Sequence, residues 1–230
     1  VHSSVGSEAL DTPTLDRVTA RATLADIARS NLLFGGHAAV VWGVLRLLDG
    51  GVTGRSLTVA DVGAGAGDVL VALGDALARR GVVMSGIAID WHREAAQMAG
   101  ERRQLAVVGD AFRLPLPDGA VDVVVASQLL HHFTVAAAMS LVRELDRIAR
   151  IGVVISDLRR TRLAAAGIWL AAHALRFHPV SRADGVVSVR RGFTTHELTD
   201  LCATAGIAVR AYRRPGFRLV APWRTDCAHS

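Results

Sequence analysis

Residues 57–68 read LTVADVGAGAGD, an apolar run that closes on Asp61 and is followed at once by glycines at positions 63, 65 and 67. An apolar run bounded in this way fits a strand covered on both faces, the environment of a parallel sheet. The glycines then supply a turn that residues carrying a Cβ make only with strain. In open α/β sheets, ligands bind in the crevice beyond the carboxyl ends of the strands. One short stretch therefore sets the type of sheet and predicts a ligand site at its edge.

The alternation that such a sheet needs is present on both sides of this turn. Helical spacing of apolar residues marks 14–28 and 37–48, with Gly35 and Gly36 between them, and a further helix over 69–79. A strand ending at Asp90, a helix over 92–99, strands at 105–108 and 121–126, a helix over 136–150 and a strand at 151–156 follow. Strands alternating with helices predict a doubly wound parallel sheet. The remainder reads as a helical segment over 161–177 and a loop through Pro179, Asp184 and Gly185. A helix over 194–205 comes next, with Thr194 and Glu197 in capping-box spacing and Gly206 as its stop. Two β-like runs, 207–212 and 217–220, joined across Arg213, Arg214, Pro215 and Gly216, predict an edge hairpin.

The expected fold is thus α/β, a doubly wound, mostly parallel seven-stranded sheet with a C-terminal antiparallel hairpin and a helical N-terminal lid. Residues 1–50 form the lid and residues 51–230 one domain, with a helical insertion around 158–190. A hydrophobic share of 51% against 20% charged residues suits a folded core. The longest apolar runs, such as 163–175, are shorter than the roughly 20 residues that span a bilayer, so no membrane insertion is expected. The opening VHSSVGSEALDTPT has no basic start followed by an apolar core, which makes a cytoplasmic location the default expectation. The charge of +5 is carried by arginines dispersed from Arg17 to Arg224, the pattern of a solvated surface, so nucleic acid is not an expected partner. Cys202 and Cys227 have no metal-ligand spacing and read as a buried small hydrophobe and a free tail thiol; no metal is expected.

The glycine turn does not suit a dinucleotide. That fingerprint needs a glycine or alanine at position 68, where the helix packs on the strand, and this chain has Asp68. GxGxG after Asp61 instead resembles the first motif of the class I methyltransferases, whose cofactor is S-adenosylmethionine. The run GDAFRLPLPDGAVDVVV resembles the GDA-x-x-LPF-x-D-x-x-FDVV pattern of small-molecule methyltransferases, including the ubiquinone/menaquinone C-methyltransferase-like group. The resemblance covers about residues 57–157 and implies the Rossmann-like methyltransferase fold. It places Asp61, Gly63 and Gly65 at the methionine moiety, Asp90 with Trp91 at the ribose, Asp110 with Ala111 at the adenine, and Ser127 near the methionine end.

Methyl transfer is an in-line displacement, so the enzyme must align the acceptor and, for a hydroxyl, remove its proton. His131 and His132, in SQLLHHF after the fourth strand, are the candidate catalytic bases; as neighbours they are expected to point differently, one to the pocket and one into packing. Phe34 and His37 in the lid, Asp157 and Arg159 after the fifth strand, and Arg191 in VRRGFT are the expected acceptor-binding residues. The chain has neither the [DN]PP[YF] run of amino-methylating nucleic-acid enzymes nor the Pro-Cys nucleophile of cytosine C5 enzymes. The expected function is O-methylation of a phenolic or polyketide-like hydroxyl in secondary metabolism. The alternatives are C-methylation of a quinone-like ring and a catalytically silent cofactor-binding partner protein. A homodimer is compatible with the sequence.

Overall fold

The computed structural model describes residues 6, 8–12, 15–49 and 56–225. Cys227, the start of the first expected helix at position 14 and the lid boundary at 50/51 lie outside the described residues. A single turn of 3₁₀ helix, Ala9–Asp11, is followed by α1 (Arg17–Leu33) and α2 (Gly36–Leu48). Then come β1 (Ser56–Val62), α3 (Asp68–Ala78), β2 (Val83–Asp90), α4 (Arg93–Glu101), β3 (Leu105–Val108), β4 (Val121–Ser127), α5 (Val135–Ile148) and β5 (Ala149–Leu158). The chain ends with α6 (Arg162–Ala174), α7 (Pro179–Arg191), α8 (Thr195–Thr204), β6 (Tyr212–Arg214) and β7 (Arg218–Arg224).

The strands form one seven-stranded sheet in the order β3-β2-β1-β4-β5-β7-β6. β1 to β5 run parallel, while β7 is antiparallel to both β5 and β6. Alternate residues of each central strand face opposite layers. Val124 and Ala126 of β4 pack with α5 and α8, whereas Val123 and Val125 pack with α2 and α3. This explains why residues 123–126 of β4 read as a continuous apolar run rather than an alternating one.

α2 lies against the sheet. Its Ala39, Val40, Val44 and Leu47 share a core with β1, α3, β4 and Val220 of β7. α2, expected as part of the lid, is thus a core helix. Its approach depends on Gly43, where a Cβ would stand 2.5 Å from Val154 Cγ1 and 2.8 Å from Val220 Cγ1. Replacing Gly43 by Ala is therefore expected to lower stability by about 1–3 kcal/mol through overpacking. The gain in helix propensity, up to about 1 kcal/mol, has the opposite sign and is smaller. A lower denaturant midpoint at an unchanged slope checks this.

The structure also departs from the sequence expectations elsewhere: the helix expected over 136–150 gives way to β5 at Ala149. The stretch through Pro179 and Gly185, expected as a loop, is α7. Pro179 occupies the first turn, where its missing N–H costs nothing, and the His178 side chain accepts from Val180 N as the cap. Gly185 sits where α6 crosses, and a Cβ there would lie 3.1 Å from Ile168 Cγ1. In the hairpin, 207–211 carry no regular structure and pairing begins only at Tyr212. The capped helix over 194–205 forms as expected, with Thr194 and Glu197 in a reciprocal capping box.

Candidate active site

The carboxyl ends of β1, β2 and β4 and the loop after β3 open into a cavity of about 1090 Å³ that extends under α1, α6 and α7. Phe34, Phe112, Phe133, Phe177 and Phe217 are among the residues that line it.

At one end stands the glycine turn. Gly63 has φ 71°, a conformation that favours glycine, and a Cβ there would also press on the Leu129 side chain, 2.8 Å from Cδ1. The turn is fastened to β2 through Asp90, whose Oδ2 accepts from Gly65 N at 2.8 Å and whose Oδ1 accepts from His92 N at 2.8 Å. Burial raises the pKa of Asp90 against the opposing pull of these backbone donors. Asp61 is fully buried, and neither of its carboxylate oxygens has a hydrogen-bond partner. Its pKa is raised well above the usual carboxylate range, first by burial and then by the negative charges of Asp68 and Asp90. A cationic group beside Asp61 would remove that penalty, so the residues present fit a ligand carrying an ammonium or sulfonium. Trp91 and Ala111 also line the cavity, as does Asp110, whose Oδ1 accepts from Phe112 N at 2.9 Å. The Ser127 hydroxyl is buried there without a partner.

At the other end, His131 is buried between two carboxylates, with Nδ1 2.6 Å from Asp157 Oδ1 and Nε2 3.6 Å from Glu8 Oε1. Burial opposes its charge, but Asp157 and Glu8 outweigh that and push its pKa up to about 10. The His132 Nδ1 stands 2.7 Å from Asp11 Oδ1, and its Nε2 faces Glu8 Oε2 at 3.8 Å. Asp11 is held well below the usual carboxylate range: burial works against this, but hydrogen bonds from His132, the Glu8 backbone and Arg191 prevail. The two imidazoles do not diverge as neighbours were expected to. They occupy a 3₁₀ turn, Leu130–His132, with ring centroids 4.4 Å apart, and both line the cavity. Among the described residues, Glu8, His131 and His132 are the group whose ligand-type atoms gather within 4.8 Å of one another.

Phe34 and the residues expected at the cofactor all line the cavity; four expected acceptor residues do not. His37 is turned to Asp68, with Nε2 2.7 Å from Oδ2, in a chain that continues through Asn31 to Gln128. Asp157 is completely buried behind His131. Arg159 lies over the Phe217 ring at 5.2 Å, and its backbone N–H donates to Phe217 O. Arg191 pairs with Asp11 at 3.0 Å and Glu8 at 3.5 Å, fastening the first 3₁₀ turn to α7. Glu8, Asp11 and Arg218 were not singled out from the sequence. The two acids occur in an N-terminal stretch without apolar periodicity, and Arg218 in a β-run among many arginines; E-x-x-D spacing ahead of a helix was the only signal for the acids.

Residues 60–156 match the family described as a methyltransferase domain. The demethylmenaquinone methyltransferase of Roseiflexus sp. (strain RS-1) is 31% identical over 176 residues, which cover 71% of each chain. Of solved structures, a SAM-dependent methyltransferase from Aquifex aeolicus superimposes with a TM-score of 0.63 at 19% identity, covering 93% of this chain and 100% of that one. The O-methyltransferase NcsB1 of neocarzinostatin biosynthesis, in complex with S-adenosylmethionine and 2-hydroxy-5-methyl naphthoic acid, gives a TM-score of 0.51 at 26% identity, covering 72% of this chain and 47% of that one.

Proposed function

The chain belongs to the class I S-adenosylmethionine-dependent methyltransferases, and from that premise we propose that it methylates the hydroxyl of a phenolic or polyketide-like small molecule. Bound S-adenosylmethionine supplies a methyl group on a sulfonium, electrophilic enough to be taken by an oxygen nucleophile. Asp61, with its unpartnered oxygens, would hold the cationic methionine end beside Gly63 and Gly65, with Ser127 near by. Asp90 would accept from the ribose hydroxyls beside Trp91, since each carboxylate oxygen accepts more than one hydrogen bond. Asp110 and Ala111 would bound the adenine. The described residues before Gly35 act as a lid on a single α/β domain, with Phe34 at the cavity wall.

The observation that carries the hydroxyl reading is the pairing of His132 with Asp11 at the cavity wall. An ionised Asp11 only accepts, so in the neutral ring Nδ1 carries the proton and Nε2 keeps its lone pair. His132 is therefore the proton acceptor in this reading. His131, already protonated between Asp157 and Glu8, serves as a fixed positive charge. The likeness to NcsB1, whose ligand carries an aromatic hydroxyl, supports the same choice. Wild-type protein given labelled S-adenosylmethionine and 2-naphthol should form the methyl ether. Replacing His132 by Ala should lower kcat roughly 10²–10⁴-fold while leaving S-adenosylhomocysteine affinity unchanged. An undiminished kcat in that variant would remove His132 from proton transfer.

A second reading, C-methylation of a quinone-like ring, is favoured by the relative from Roseiflexus. NMR of the product separates the two, because a methoxy carbon and a ring methyl resonate far apart.

A further inference from the structure

Arg218, the first residue of β7, is among the largest fully buried side chains of the protein and lines the cavity. Its Nε and Nη1 are both buried, and neither has a hydrogen-bond partner. A guanidinium carries five donors and no acceptor, so burial without acceptors is costly. Asp157 is the carboxylate whose charge acts on it. Asp157 nevertheless accepts from neither Nε nor Nη1; its Oδ1 pairs with His131 Nδ1 and accepts from Leu158 N, and its Oδ2 accepts from His131 N. Glu8 and Asp11, also on the cavity wall, are ion-paired with the histidines and Arg191, and Glu8 Oε2 accepts from Ser188; Glu8 Oε1 accepts no hydrogen bond, from Arg218 or from any other group. Among the described residues no group accepts from Nε or Nη1, and a molecule entering the cavity can supply the acceptor.

We propose that Arg218 seats a carboxylate of the methyl acceptor, so that the substrates are hydroxylated aromatic acids. A single guanidinium whose charge is partly offset by Asp157 suits a monoanion rather than a phosphate dianion. A carboxylate also matches the planar fork of Arg. The phenylalanines on the cavity wall accommodate the ring that bears the group. The anion is not the cofactor's own carboxylate, because β7 stands three strand positions from β1 and its glycine turn, roughly 14 Å at the usual strand spacing. β7 adjoins β5, whose Asp157 holds His131, so the anion seat borders the acceptor end. The naming of a hydroxylated acid rests on the hydroxyl reading above.

The test uses the protein saturated with S-adenosylhomocysteine and titrated calorimetrically with 3-hydroxy-2-naphthoate or with 2-naphthol. Wild type should bind the acid at least tenfold more tightly, and Arg218→Gln should bring the two to equal affinity with S-adenosylhomocysteine affinity unchanged. Arg218→Lys, which keeps the charge and loses the fork, should retain part of the preference. Equal or no binding of the two probes by wild type overturns the proposal without recourse to a variant. A preference that survives Arg218→Gln, or a loss of S-adenosylhomocysteine affinity in that variant, overturns it as well. Methylation of 2-naphthol with no preference for the acid sinks only the carboxylate seat. An Arg218-dependent preference with no methyl ether formed from either compound sinks only the hydroxyl reading.

Discussion

Asp157→Ala is expected to lower folding stability by about 3–5 kcal/mol, the cost of leaving a buried charge without its partner. Asp157 is completely buried and accepts from the His131 and Leu158 backbone N–H groups as well as pairing with the His131 ring. Its removal takes from both His131 and Arg218 the carboxylate whose charge acts on them, with Glu8 as the remaining buried acid near His131. At about 2–4 °C per kcal/mol for a chain of this size, the midpoint of thermal unfolding should fall by roughly 10 °C. A shift of under about 2 °C would remove Asp157 from the support of the fold.

The same network has a pH signature. The pKa of His131 is raised from 6.5 to about 10 on folding, so its contribution is complete below 6.5 and is lost as the pH rises toward 10. Glu8 and Asp157 are shifted down, against burial and through the histidines, so their contribution is present above their ordinary values near 4 and is lost as the pH falls below them. Wild-type stability should thus decline between pH 7 and 10, and Asp157→Ala should show a shallower decline. Thermal unfolding of both proteins across that range provides the comparison.

Asp90→Ala should weaken S-adenosylhomocysteine binding by roughly 100-fold, or about 3 kcal/mol. It removes the acceptor of the Gly65 and His92 N–H groups, each worth about 0.5–1.5 kcal/mol net and more if left buried without a substitute. The turn that must approach the cofactor also loses its anchor to β2, and the ribose loses its acceptors. Calorimetry with S-adenosylhomocysteine measures the change. An affinity within threefold of wild type would mean that Asp90 neither holds the turn in a binding conformation nor touches the ligand.

What could be read from the sequence was whatever depends on neighbours along the chain. Residues 57–68 specified a buried strand and a glycine turn, and the acids at strand ends follow from the same local pattern. α7 was missed because Pro179 and Gly185 look like punctuation, whereas one sits in a first turn and the other at a helix crossing. The acceptor side depends on contacts between distant segments. Asp157 and Arg191 were singled out for the right neighbourhood, but they act by holding His131 and the first 3₁₀ turn rather than by lining the cavity. Arg218 could not be separated from the surface arginines, since burial is a property of packing and one-letter composition does not carry it.

The first 3₁₀ turn meets its partners far along the chain: Ala9 N donates to Asp184 across 175 positions, and Arg191 donates to Asp11 across 180. Contacts of such separation form late in folding, after the loop-closure entropy has been met. During synthesis, at about 5–20 residues per second, Glu8 and Asp11 leave the ribosome roughly 10–40 s before Asp184 and Arg191. For that interval Glu8 and Asp11 have at most His131 and His132 to pair with, and Arg191 has yet to be made. A ribosome stalled before α7 would therefore carry a glycine turn whose cover lacks α7, with Asp11 still without Arg191.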